Sequence, residues 1–412
     1  MADSTYRFAV VGLGLMGSAA VKYLAREHRC VVGIGPPEPS DYSQHRGVFA
    51  SHYDSARITR ILDTDPIWAA IARRSIERYS SIEADSGIAF FRPAGCMKII
   101  AGDEAGHRYI EANKKIGDEL GVDYEQLTDD DLKRLYPRLH FRDNAIALLE
   151  KGTGGAIDPR KMLEAQLAIA KKHGAEIIRQ TVTSITRQTR GYSIALGETR
   201  ITADRVLVCA GAFSNFNQLL PAALKMTIHA ETQCLAQLDA SEQAQLSAIP
   251  AMIYFLENQQ PPDYVYTVPP TAYPDGNVYF KMGGDREASH TFEALSDVIE
   301  WFHSTGGKEA FEYYRQATAD LIPGLNAGAW VSKPCVITNT VTGRPYIGKI
   351  DDGLYVTTGG CGTAAKSADE LGRLGALLTA TEETDAAYPS EAFRLIPASE
   401  PASATEQRKF KF

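Results

Sequence analysis

The sequence predicts an α/β protein in which a discontinuous Rossmann-like dinucleotide-binding domain is threaded along the chain, with a sheet-based second domain inserted into it. Three stretches carry that prediction. "VVGLGLMGSAA" at residues 10–20 sets a glycine-rich turn between an apolar run and a helical pattern. "RVLVCAGAFS" supplies, far downstream, a buried strand that ends in small residues. "LYVTTGGCGTAAKSADELGRLGALL" repeats the plan of strand, glycine turn and helix close to the C-terminus.

Each element has its own justification. "YRFAVVG" is a short apolar run closed by glycine and reads as a buried strand. "GSAAVKYLAREH" follows with helical spacing, Ala19, Ala20, Tyr23 and Leu24 lying on one side. "CVVGIG" reads as a second buried strand, which completes a βαβ unit. In such a unit Gly12, Gly14, Leu15, Met16 and Gly17 form the turn. Its free N–H groups and the helix dipole hold a pyrophosphate. "ASHYDSARITR" reads as an ordered loop, and "DPIWAAIARRSIERYSSIEADSG" as one long helix. Asp158 followed by Pro159 opens another helix, and Thr128 or Asp129 caps a third. The middle of the chain is mostly strand. The segments 1–90, 150–225 and 325–412 are assigned to the dinucleotide domain, and 91–149 and 226–324 to the second domain.

Composition narrows the partners. The 412 residues are 44% apolar and 23% charged, with a net charge of -8 and no long basic cluster, which argues against nucleic acid. No apolar run reaches membrane-spanning length. The N-terminal apolar run already contains the glycine fingerprint, so it does not read as a signal peptide, and a cytoplasmic location is expected. The six cysteines are scattered without any paired spacing. They read as reduced thiols, with no zinc site or other metal site.

The fingerprint alone suits an NAD(P)-dependent hydroxyacid dehydrogenase as well as a flavoprotein. The two later segments decide for the flavin. A nicotinamide dehydrogenase of that type completes its cofactor domain early and continues in helices. A large flavoenzyme returns to the cofactor at its end. One departure is visible at the end of the second strand, where Gly35 stands in place of the usual ribose-binding acid. Glu38 is the nearest stand-in, and a tethered cofactor tolerates the loss best.

With "VVGLGLMGSAA", "ASHYDSARITR", "GGAIDPRKMLEAQLAIAKKHGAEI", "ADRVLVCAGAFS", "YFKMGG", "SKPCVIT" and "GGCGTAAKSADELG" in this order, nearly the whole chain resembles the FAD-dependent amine oxidoreductases typified by monomeric sarcosine oxidase and N-methyltryptophan oxidase. The resemblance implies FAD bordered by the fingerprint and by Gly211, Gly360, Gly362, Thr363 and Lys366. It implies a thioether from Cys335 to the flavin 8α-methyl group. Lys333, two positions earlier, lowers the thiol pKa if it points the same way. The resemblance places Arg57 close to the flavin ring and Lys281 near flavin N5, where a cation favours reaction with oxygen. His52 joins these two as a catalytic candidate. Arg60 and Lys366 match a clamp on the substrate carboxylate, a task suited to the planar fork of arginine. Tyr266 matches a pocket tyrosine, and Asp285 stands where the sarcosine oxidases carry histidine. Ile337 replaces a tyrosine frequent in the family.

The plainer alternatives are a packed strand cysteine at 335, a solvated strand-end lysine at 281, a polar helix face bearing Arg57 and Arg60, and core packing of Tyr266. The activity implied is oxidation of a secondary amino acid, N-methyl or cyclic, to an imine, with O2 reduced to H2O2. A flavin dehydrogenase serving another electron acceptor is the main rival. Small molecules are the expected partners, and a monomer the expected state.

Overall fold

The computed structural model describes residues 5–257, 263–287 and 290–401. The first strand, Thr5–Val11, lies between the parallel strands Val31–Ile34 and Thr199–Val208 at the centre of an eight-stranded sheet. Its side chains alternate between two covered faces. Phe8 and Val10 pack with Leu24, Leu163 and Leu207. Ala9 and Val11 pack with Val206, Val208 and Tyr346 on the other side. Burial of both faces explains why this strand reads as an unbroken apolar run. The C-terminal strand Leu354–Thr358 runs parallel to the end of Thr199–Val208, so the last segment of the chain returns to the first.

The helix Leu15–Glu27 follows the first strand, and Ala368–Thr381 packs across it. The contact is close because position 372 lacks a side chain. A Cβ at Gly372 would lie 2.4 Å from the carbonyl oxygen of Met16. Lys22 and Asp369 pair across this contact at 2.5 Å, both fully buried, and Arg78 reaches Asp369 and Glu370 at 2.6 Å each. Breaking such a buried pair by removing one partner typically costs about 3–5 kcal/mol.

Those ion pairs account for one departure from the sequence reading. The expected single helix over 65–87 is two, Pro66–Ile76 and Tyr79–Ser86, with Arg78 in the break between them. The other caps follow the sequence. Asp158 accepts from the amide of Lys161 with Pro159 in the first turn, and Thr128 forms a capping box with Asp131.

The second sheet has nine strands, drawn from 96–150 and 226–340. Its longest pairing joins Met226–Leu238 to Ala327–Thr340, antiparallel along nearly their whole length. The strand Ala327–Thr340, which carries Cys335, was grouped by sequence with the dinucleotide segments, and its hydrogen bonds run to this second sheet instead. A small third sheet joins Arg57–Thr59, Phe91–Arg92 and Gly155–Ile157. Arg57 therefore belongs to a strand, and Arg60 follows it, which removes the polar helix face as an explanation for the pair. Among the described residues no helix is long and apolar enough to cross a membrane.

Candidate active site

A cavity of about 920 Å3 is walled by residues of both large sheets and of the Arg57 segment. Its first wall is the glycine turn. Gly12 has φ +100°, and a Cβ there would lie 2.4 Å from the carbonyl oxygen of Cys209, so only glycine fits. The following helix starts at Gly14 with no side-chain cap and no acid in its first turn, which leaves its amides for an anion. Gly12, Gly14, Leu15 and Met16 line the cavity, as do Gly211, Gly360, Gly362 and Thr363 from the two later turns. Gly17 is buried and does not line the cavity. A bare glycine turn at a helix N-terminus, opening on a long cavity, fits the pyrophosphate of a dinucleotide.

The missing ribose acid has a steric cause. A Cβ at Gly35 would lie 2.7 Å from the amide nitrogen of Leu13. Glu38 is engaged elsewhere: both its oxygens accept from Arg160 at 2.7 Å, it also accepts from Tyr42, and it does not line the cavity. His52 stands beside the turn, its Nδ1 4.0 Å from where a Cβ on Gly14 would be. Burial, with Arg160, Arg179 and Arg57 nearby, pulls the His52 pKa down to about 4 against the pull of Glu38. The imidazole is therefore neutral near pH 7.

The second wall is one face of the nine-stranded sheet. Cys335 and Ile337 come from one strand, Glu231 and Gln233 from its neighbour, and Tyr264 and Tyr266 from Asp263–Ala272. Side chains two apart on a strand share a face, which brings these residues together. The Tyr266 hydroxyl donates to Glu231 at 2.6 Å. Arg57 reaches over the cysteine, its Nη2 3.8 Å from Cys335 Sγ and 2.9 Å from the carbonyl of Ser51. Burial raises the Cys335 thiol pKa, and Arg57 opposes the rise. Arg57, expected beside the flavin, is thus the cation in contact with the sulfur. Lys333, expected in that role, lies 5.5 Å from the Tyr273 ring centre.

Lys281 is completely buried, which rules out a solvated strand-end lysine. Its Nζ donates to Asp54 at 2.5 Å and to the carbonyl of Ala56 at 3.0 Å. Arg57 pairs with the same aspartate, and burial together with Arg57 lowers the Lys281 pKa well below its ordinary value against the pull of Glu231. Lys281 stands behind the wall, 5.6 Å from the centre of the Tyr266 ring, and does not itself line the cavity. Asp285 also lies outside the lining, in the electrostatic neighbourhood of Tyr264 and Tyr314.

The third wall is a cluster of cations. Arg60 lines the cavity and donates to Asp63 at 3.4 Å, while its Nε is buried with no hydrogen-bond partner among the described residues. Lys366 is 1% exposed, and its Nζ likewise has no such partner; Asp63 lies 3.9 Å away. Lys98, also lining the cavity, donates to Asn113 at 2.6 Å. Burial, together with the neighbouring cations, brings Lys366 down to about 7 and Lys98 to about 8. Burial works against the charge of Asp63, yet Lys98, Lys366 and Arg60 hold it below the ordinary carboxylate value. Glu150 accepts the amides of Ile61 and Leu62 and supplies the other negative charge. Below pH about 7, where Lys366 and Lys98 are both protonated, three cations face two carboxylates and one further anion balances the cluster.

The sequence reading thus brings most of its candidates to one cavity, with Lys281, Lys366, Gly17 and Asp285 behind its surface. It missed Lys98, Asp54, Asp63 and Glu231. The signal for Lys98 was a lysine inside the apolar strand "CMKII".

Comparison with known proteins agrees with this architecture. Monomeric sarcosine oxidase of Streptomyces avermitilis is 27% identical over 212 residues, which is 51% of this chain and about half, 53%, of that protein. Peroxisomal sarcosine oxidase of Mus musculus is 21% identical over 80% of each chain. The fold is shared with a point mutant of NikD, an unusual amino acid oxidase essential for nikkomycin biosynthesis, at a TM-score of 0.74 and 20% identity over 97% of this chain and 99% of that one. The model of the FAD dependent oxidoreductase family, DAO, matches residues 7–378, and together with the glycine turn and cavity this establishes that the chain belongs to that family of flavin-dependent oxidoreductases.

Proposed function

We propose that the chain is an FAD-dependent oxidase of a secondary amino acid, N-methyl or cyclic, and that it yields an imine and H2O2. The observation that carries this reading is the buried cation cluster, in which the Arg60 Nε and Lys366 Nζ have no hydrogen-bond partner among the described residues. A carboxylate in the cavity supplies the balancing anion and accepts from Arg60, with Lys366 close behind. This fixes the adjacent C–N bond relative to the sheet face bearing Tyr266 and Cys335. FAD held in this cavity would supply the two-electron oxidation of the C–N bond and the reduction of O2. In this reading the glycine turn would hold the pyrophosphate, Cys335 would tether the ring, Arg57 would set positive charge beside the tether, and Lys281 would act from behind the same wall. The sarcosine oxidases and the amino acid oxidase named above support the substrate class.

The test is turnover of N-methylated and cyclic amino acids by the purified protein, with peroxide expected in a one-to-one ratio to oxygen consumed. A second reading, a dehydrogenase serving another acceptor, is favoured by the Asp54 carboxylate that partly offsets Lys281. Fast turnover with an artificial acceptor and none with oxygen would establish it.

The clamp also has a pH signature. A carboxylate stabilises the charged forms of Lys366 and Lys98, whose pKa values in the free protein are about 7 and about 8. Both are charged below that window and lose their protons above it. A short carboxylic acid without an amine should therefore bind fully below pH about 7 and progressively more weakly above about 8. Calorimetry in two buffers of different ionisation heat should show proton uptake on binding. Binding that is indifferent to pH across this window contradicts the assignment.

A further inference from the structure

The register of the second sheet sets Glu231 directly opposite Cys335. Residues opposed in this way hold their Cβ atoms about 4.5–5.5 Å apart. The thiol donates to the carbonyl of Val336 at 3.8 Å, and a glutamate at this spacing reaches it by a side-chain rotation or through one water. Both residues line the cavity and both are 7% exposed. Arg57 stands over the sulfur at 3.8 Å. The thiol is otherwise poorly suited to react, because the thiolate is the nucleophile and burial holds the proton on the sulfur. A guanidinium stabilises the thiolate once formed but takes up no proton. Glu231 is the carboxylate beside it, and burial raises the pKa of that carboxylate against the pull of Tyr266, Arg57 and Lys281, with Glu287 adding to the rise. Its affinity for a proton is thereby moved toward that of a thiol.

We propose that Glu231 accepts the Cys335 thiol proton during attachment of the flavin, with Arg57 holding the thiolate. This rests on the reading of Cys335 as the tether. The proton moves from Sγ to the Glu231 carboxylate, and the sulfur electron pair forms the bond to the 8α carbon. That carbon gives up one hydrogen as a proton before the sulfur attacks, and the C–H electron pair stays on the flavin. The two electrons left on the flavin pass to O2, which leaves as H2O2 with two protons. The sum is thiol, methyl group and O2 giving thioether and H2O2.

The test follows covalent attachment, not turnover. The full chain, prepared without flavin, is mixed with FAD under air and quenched at intervals in acid. The intact mass of the denatured chain reports the covalent fraction. Glu231→Gln keeps the shape and should bind FAD, yet gain the covalent mass about 10²-fold more slowly than wild type, the usual loss when a positioned proton acceptor is removed. Its rate should recover as pH rises and hydroxide takes the thiol proton, whereas wild type should depend less on pH. Glu231→Asp retains the carboxylate and should fall between the two, which keeps the test decisive if the glutamine variant does not fold. Wild-type rate and pH profile in Glu231→Gln, or in Glu231→Asp should the glutamine variant not fold, would overturn the role of Glu231 and leave the tether standing. A wild type without covalent flavin, or a Cys335→Ala variant that retains it, would remove the tether and the proposal with it.

Discussion

Lys281→Met is expected to slow the reaction of the reduced enzyme with oxygen about 10²–10³-fold, the range found when a preorganised charge is removed from a developing anion. Reduction by substrate should change little. The side chain lies fully buried on Asp54 and Ala56, so it makes no direct substrate contact, and it acts on oxygen through the protonated form, which Glu231 favours against burial and Arg57. The fold should tolerate the change, because Asp54 stays paired with Arg57 and no buried carboxylate is stranded. Stopped-flow absorbance separates the two halves. Reduced variant mixed with aerated buffer should reoxidise slowly, while artificial acceptors restore turnover. An unchanged oxygen step would make Lys281 an anchor for the Asp54 segment and strengthen the dehydrogenase reading.

Arg60→Met is expected to lower kcat/KM for a carboxylate substrate about ten- to a hundredfold. A charge-assisted hydrogen bond at such a site is worth about 1.5–3 kcal/mol, and each 1.4 kcal/mol is a factor of ten. Asp63 keeps Lys98 and Lys366 as neighbours, so the cluster remains paired. Removing a like charge should also raise the Lys366 pKa from its present value of about 7, shifting the pH window of carboxylate binding upward. A variant that keeps wild-type affinity for amine-free carboxylates, with an unmoved window, would place the substrate elsewhere in the cavity.

Much of this was legible in the sequence because it rests on local rules. A glycine turn between an apolar run and a helix says where an anion sits, and Asp158 before Pro159 says where a helix starts. What escaped depends on partners distant in sequence. The break at Arg78 is set by Asp369 and Glu370, nearly three hundred positions away. Nothing beside Glu231 announces that its neighbour is Cys335, because register is fixed only when two strands meet. Lys281 is placed near the flavin by the family resemblance alone, and its burial and its bond to Asp54 appear only once the sheet closes over it. Gly35 looked like a loss at the ribose, and the close approach of Leu13 shows why no side chain fits there.

In the proposed function the cation cluster selects the substrate by its carboxylate. The most direct measurement is flavin bleaching in the absence of oxygen, comparing an N-methyl or cyclic amino acid with the amine that lacks only its carboxylate. The amino acid should bleach the flavin rapidly and the amine about ten- to a hundredfold more slowly at equal concentration, matching the loss in Arg60→Met. Equal bleaching by the two would contradict the account.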